Sequence, residues 1–251
     1  MIGIYQELNE YTRNPVSTKV ERQIKCNDLI DSDLVYVKEN ERCHISMQYP
    51  LRGFKHAEKR CMARREANAM LERAEKLLPD DLKFVIWDAW RPLELQEELY
   101  HSYESRIIER FQLQNMPERE RRKIIAEFVA EPDEKCPPGH STGGAFDLTI
   151  MNKDGKLLDM GTEFDSFCPE TYAEYYEKIL DGRLPFPKDI AKEDAVRIRN
   201  NRRLLWNIMT SCGFTSINSE WWHFDFGNRN WASRTGMPVR YDIYRSKKLL
   251  G

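Results

Sequence analysis

No stretch of this 251-residue sequence approaches the roughly 20 consecutive apolar residues that a helix needs to cross a bilayer, so there is no candidate membrane span. The opening residues, MIGIYQELNEYTRNP, lack the apolar core of a secretory signal. The expected location is therefore the cytoplasm, or the cell envelope had a signal been removed. There is no charge excess of either sign: 39 Lys and Arg face 41 Asp and Glu, for a formal charge of -2. That balance gives no global attraction to nucleic acid or to an anionic membrane, and neither is expected as a partner. The one dense basic run, RIRNNRR, sits beside acids and reads as a solvated helix face. The six cysteines form no CxxC pair and no dense framework, so free thiols are expected. Internal repeats and low-complexity tracts are absent too, which excludes a solenoid. Histidine is the scarcest informative residue, with five in the chain.

What is present is material for a core: 41% hydrophobic residues, 11% aromatic, and six tryptophans. Residues 1–251 are expected to form a single domain. A helix-compatible pattern covers 55–78 and is broken by Pro79-Asp80-Asp81. LKFVIWD (82–88) reads as a buried strand. Pro92 opens a helix over about 92–112, and Pro117 opens another around IIAEFV. The segment near 100–133 reads as a charged helical insertion, either a solvated face or a lid. EPDEKCPPGHSTGG (131–144) is too rich in proline and glycine for regular structure and must be a shaped loop. AFDLTIM (145–151) alternates, with Ala145, Asp147 and Thr149 on one face and Phe146, Leu148 and Ile150 on the other. Asp154-Gly155 suits a tight turn, after which 156–160 would return as a hairpin partner. A long helix over about 189–211 should end at Gly213, and FTSINSEWWHFDF reads as a strand. Beyond Asn228 no period is evident. Long helices without regular βαβ alternation predict an α+β fold, with a small, largely antiparallel sheet flanked by helices.

Two of the five histidines occupy the two most unusual segments. GHSTGGAFD places His140 in a glycine-bearing loop and Asp147 seven residues later on a strand; EWWH places Glu220 and His223 among tryptophans. Catalytic zinc takes three protein ligands from His, Asp and Glu and keeps a fourth position open. His140, Asp147 and His223 could supply that set, with Glu220 as the base that takes a proton from water. Taken alone, these short motifs suit ordinary hydrogen-bonded histidines as well as a metal site. His44, His56 and His101 are read as ordinary. In a continuous strand, residues three apart face opposite ways. Glu220 and His223 can share a site only if the strand becomes regular after Glu220 or a bulge lies between them. Trp221 and Trp222 would then wall the site and exclude water.

GHSTGGAFDLTI is similar to the SxHxxGxAxD signature of the zinc D-alanyl-D-alanine dipeptidases and carboxypeptidases, and SEWWHFDF resembles their ExWWH motif. VIWDAWRP resembles the WDxYRP element of the dipeptidase branch, DMGTEFD its MGxxFD element, and NRRLLWNIMTSCGF the helix and turn preceding the ExWWH strand. The resemblance covers about 80–226. It implies one zinc ion per chain, held by His140, Asp147 and His223, with Glu220 as general base and acid. It further implies that Arg91 polarises the scissile carbonyl and that Asp165 receives the substrate's amino group. Without it, Arg91 reads as a structural ion pair and Asp165 as a loop cap. The implied activity is hydrolysis of a small D,D-dipeptide, most simply D-alanyl-D-alanine. The alternatives are a D,D- or L,D-carboxypeptidase on cell-wall stem peptides, or a zinc-binding module without turnover. Departures bear on substrate grip: Pro138 and Gly139 stand where the family has hydroxyl side chains, and the usual upstream run is replaced around NERCHISMQYPLRGF.

Overall fold

The computed structural model describes residues 33–245. Cys26 and the segment read for a secretory signal lie outside the described residues. The strands are β1 (Leu34–Tyr36), β2 (Cys43–Ile45), β3 (Met62–Arg64), β4 (Leu82–Asp88), β5 (Ala145–Asn152), β6 (Thr215–Ser216) and β7 (His223–Asp225). The helices are α1 (Gln48–Leu51), α2 (Arg65–Glu75), α3 (Leu93–Arg110), α4 (Glu118–Phe128), α5 (Tyr175–Leu180), α6 (Lys192–Ser211) and α7 (Arg229–Thr235). A five-stranded sheet runs in the order β2-β4-β5-β7-β6, and β1 pairs with β3 in a separate ribbon. Only β2 and β4 are parallel; every other pair is antiparallel. The protein is thus α+β, as expected. None of the described helices is long and apolar enough to cross a membrane.

β4 and β5 form the centre. Phe146, Leu148 and Ile150 are completely buried, and full burial of such side chains stabilises by about 1.5–3 kcal/mol each. The opposite, more polar face of β5, with Ala145, Asp147 and Thr149, is buried as well. α6 ends at Ser211, and Gly213, at φ +90°, supplies the left-handed turn that leads into β6. Asn228 caps α7, its side chain accepting from the Trp231 N–H at 3.0 Å.

The structure corrects four local expectations. The helix read over 55–78 begins only at Arg65, because 62–64 pairs with β1 and the Arg64 N–H reaches the Gly143 carbonyl at 2.8 Å. This tertiary pairing overrides helical propensity. Residues 156–160 form no strand; the return stops at the Met151–Leu157 bridge and one bond from Leu158 N–H to the Ile150 carbonyl. The stretch 214–226 is two short strands with a turn between them rather than one. The segment from 100 to 133 is more than a solvated face, since Tyr100, Tyr103 and Ile107 of α3 and Ile125 of α4 are buried. The free-thiol reading holds for Cys43, Cys61, Cys136, Cys168 and Cys212.

Candidate metal centre and active site

Asp147 lies opposite His223 in the β5–β7 register and opposite Asp88 in the β4–β5 register. Directly opposed residues in an antiparallel pair share a face, so these three side chains form a row across three strands. Asp88 joins that row because the register shifts between Ile86 and Asp88, leaving Trp87 as an extra residue. Of the two arrangements expected for Glu220 and His223 the first holds: the strand is regular only from His223, and the residues before it form a turn in which His223 N–H bonds back to the Glu220 carbonyl at 3.4 Å.

His140 enters from a 3-10 turn, His140–Thr142, just before β5. The three candidate ligands are buried, with 4%, 2% and 5% of His140, Asp147 and His223 exposed. His140 Nε2, Asp147 Oδ1 and His223 Nδ1 form a triangle with every edge 3.1 Å. For ligand atoms about 2.0 Å from a tetrahedral zinc, that edge would be roughly 3.3 Å. The remaining ring nitrogens both face oxygen acceptors. His140 Nδ1 is 2.7 Å from the Ala89 carbonyl, which fixes its proton there, and His223 Nε2 is 3.0 Å from Asp225 Oδ1, which draws the proton to that side. With the protons on those outer nitrogens, each histidine would turn an unprotonated nitrogen toward Asp147 Oδ1. In that state three electron pairs would converge without a proton between them and fit a cation, and carboxylate or carbonyl partners behind each histidine are what metal sites use to orient imidazoles.

Beside the triangle, Glu220 Oε2 is 3.8 Å from His223 Nδ1. Burial, reinforced by Asp147 and Asp165, pushes the Glu220 carboxyl up to about 8, although His223 and Arg91 pull it down. Arg91 is buried behind it. Its Nε and Nη2 contact Asp88 Oδ2 at 2.9 and 2.8 Å, Nη1 donates to Gln96 at 2.7 Å, and Nη2 donates to the Tyr49 hydroxyl at 3.1 Å. Asp165 faces the same cavity but is already engaged on one oxygen: Arg52 lies 2.6 Å and the Tyr103 hydroxyl 2.9 Å from Oδ2. Its Oδ1 has only the Tyr49 hydroxyl, at 3.4 Å. Burial raises the Asp165 carboxyl to about 6 against the pull of Arg52.

The five residues His140, Asp147, His223, Glu220 and Arg91, with Asp165, thus line one cavity of about 700 Å3. Trp221 and Trp222 do not line it. The turn after Glu220 sends both indoles into the core, 3% and 2% exposed, where Trp221 bonds Thr162 at 2.8 Å and Trp222 packs on Phe164. The wall expected of them is made instead by Tyr49, Tyr103 and the segment 126–131.

Several functional neighbours escaped the sequence. Asp225 sits two residues after His223 on one strand, and Asp88 three before Arg91, so a local signal existed for both. Tyr49 and Arg52 gave none, because they reach Asp165 across 116 and 113 positions. Gly139 also acquires a reason: an added Cβ would stand 2.5 Å from Asp225 Oδ1 and 2.9 Å from Asn228 Nδ2, the carboxylate and amide that back His223.

A buried His-Asp-His triangle open to a cavity, with a glutamate and an arginine lining the same cavity, is an arrangement that could hold a metal ion and serve a metal-dependent hydrolase. Residues 51–241 match the sequence model of the family described as D-ala-D-ala dipeptidase, and the chain belongs to that family of metallopeptidases. It is 30% identical over 172 residues to a D-alanyl-D-alanine dipeptidase of Synechocystis sp., covering 64% of this chain and 68% of that one. It is 29% identical over 167 residues to the D-alanyl-D-alanine dipeptidase of Escherichia coli K12, covering 66% and 67%. Among solved structures, the LdcB LD-carboxypeptidase aligns with 86% of this chain and 78% of its own at 17% identity and a TM-score of 0.32.

Proposed function

We propose that the protein hydrolyses D,D-dipeptides, D-alanyl-D-alanine foremost, with one zinc ion per chain held by His140, Asp147 and His223. The observation that carries this reading is the triangle of three buried ligand atoms with 3.1 Å edges, one corner of it 3.8 Å from a glutamate in the same cavity. A bound zinc would supply a Lewis acid and lower the pKa of water toward about 7. Glu220 accepts the proton of the attacking water and returns it to the leaving amine as the peptide C–N bond breaks, a role suited to a carboxylate that lines the same cavity as the triangle. Arg91 carries five N–H groups, and its partners leave one on Nη1 to meet the negative charge growing on the carbonyl oxygen. Asp88, Gln96 and Tyr49 fix that guanidinium before substrate arrives. Asp165 Oδ1 accepts from the substrate's ammonium, while Arg52 and Tyr103 hold the other oxygen.

Replacing Glu220 by Gln is expected to lower kcat by about 10²–10⁴-fold. Metal analysis should still find one zinc per chain; unchanged turnover would overturn the assignment of the base. A non-catalytic zinc module would need neither Glu220 nor the held arginine. A D,D- or L,D-carboxypeptidase is favoured by one observation, a cavity of about 700 Å3, which has room for more than two residues. Rates on free and amino-blocked D-alanyl-D-alanine separate the two readings, since only a carboxypeptidase retains the blocked peptide.

A further inference from the structure

A free peptide presents two charges, and the cavity has an evident acceptor for only one of them. Asp165 can meet the ammonium; the carboxylate needs a cation that is not already spent. Four of the five cations lining the cavity are unsuited. Arg91 is enclosed by Asp88, Gln96 and Tyr49 and lies 3.6 Å from Asp147 Oδ2. Arg122 is 58% exposed and pairs with Glu118 and Glu131, and Lys123 is exposed on the same helix. Arg229 donates to the Lys135 carbonyl at 3.2 Å, tethering the loop that leads to His140.

Arg234 differs. It lines the cavity from the last turn of α7, is half-buried, and makes no hydrogen bond or ion pair among the described residues. Asn230, one turn earlier on the same helix face, also lines the cavity and bonds Asp225 Oδ2 at 3.2 Å, the carboxylate behind His223. That bond fixes the face of α7 that turns toward the site. The helix packs against β6, the sheet edge opposite β2, whereas Tyr49 of α1, which follows β2, stands by Asp165. The row Asp88-Asp147-His223 lies between these edges.

We infer that Arg234 is the positioning residue that receives the free carboxylate of the substrate, so that a zwitterionic peptide spans the cavity with its ammonium at Asp165 and its carboxylate at α7. This rests on the reading of the site as a peptidase acting on the last bond of a peptide with a free carboxyl end. A guanidinium suits the task because its planar fork matches two carboxylate oxygens.

The test compares D-alanyl-D-alanine with its C-terminal amide. In Arg234→Gln, KM for the free acid is expected to rise about 10- to 100-fold with kcat little changed, the range of a lost charge-assisted hydrogen bond. The amide should be unaffected, so the preference for acid over amide disappears; Arg234→Lys should restore part of it. Equal losses on both substrates, or no loss on the acid, would overturn the assignment. Calorimetry on Glu220→Gln with and without Arg234→Gln gives a readout independent of turnover. The dissociation constant for the acid should weaken by the same factor, and an unchanged one would sink the inference. Absence of wild-type turnover would count against the dipeptidase reading, while the binding comparison would still decide the role of Arg234.

Discussion

Asp165 adopts a left-handed backbone, φ 59°, a conformation that Asp and Asn tolerate better than most side chains. Asp165→Asn therefore tests its charge without disturbing the backbone. Its carboxyl is raised from 3.8 to about 6, chiefly by burial. The folded protein thus holds this proton more tightly than the unfolded chain does. The contribution to stability is fully present below 3.8 and is lost as pH rises through about 6. Relative to wild type, Asp165→Asn should have a higher Tm at pH 8 than the same comparison gives at pH 5, measured by thermal unfolding at both. In the wild type, KM for the dipeptide should climb as pH falls below about 6 and the ammonium loses its acceptor. At this scale the sequence was informative where chemistry is concentrated in short motifs: His140, Asp147, Glu220, His223 and Arg91 could all be singled out. It was silent on Tyr49 and Arg52, whose part depends on a meeting between distant segments. It misjudged Trp221 and Trp222, because neighbours in sequence share neither a strand face nor a destination when a turn intervenes.

Among elements, the strand order and the Trp87 bulge decide which carboxylates share the site, and neither has a local signature. LKFVIWD was legible as a strand from its apolar run, but the extra residue that turns Asp88 onto the Asp147 face shows only in the pairing register. The same limit explains the overlong helix expected from residue 55, whose first part is claimed by β1. Arg64, at the end of β3, has a structural role no motif announced. Its side chain bonds the Thr142 carbonyl at 2.7 Å and the Asp242 carbonyl at 3.0 Å, and its guanidinium carbon lies 5.3 and 5.1 Å from the rings of Tyr241 and Tyr244. It therefore ties the His140 turn to the chain's last described segment. Arg64→Ala should cost about 3 kcal/mol in urea unfolding, from buried carbonyls left unpaired. Zinc affinity should fall by about tenfold, as happens when support behind a ligand is removed.

For the molecule as a whole, a cation at the triangle would join β5, β7 and the loop before β5, so folding and metal binding are linked. With free zinc a thousandfold above its Kd, the folded state gains about 4 kcal/mol. Tm should accordingly rise with the logarithm of zinc concentration and drop on chelation, and calorimetric scans across a zinc series check this. A Tm indifferent to zinc would contradict the proposed site. The triangle also has a history during synthesis, since its third corner, His223, follows Asp147 by 76 positions. At the usual 5–20 residues per second, a ribosome needs roughly 4 to 15 s to make that stretch. Throughout that interval the growing polypeptide would display two of the three proposed donors, so a firm grip on any cation, and with it the choice of metal, would wait until residue 223 had been made.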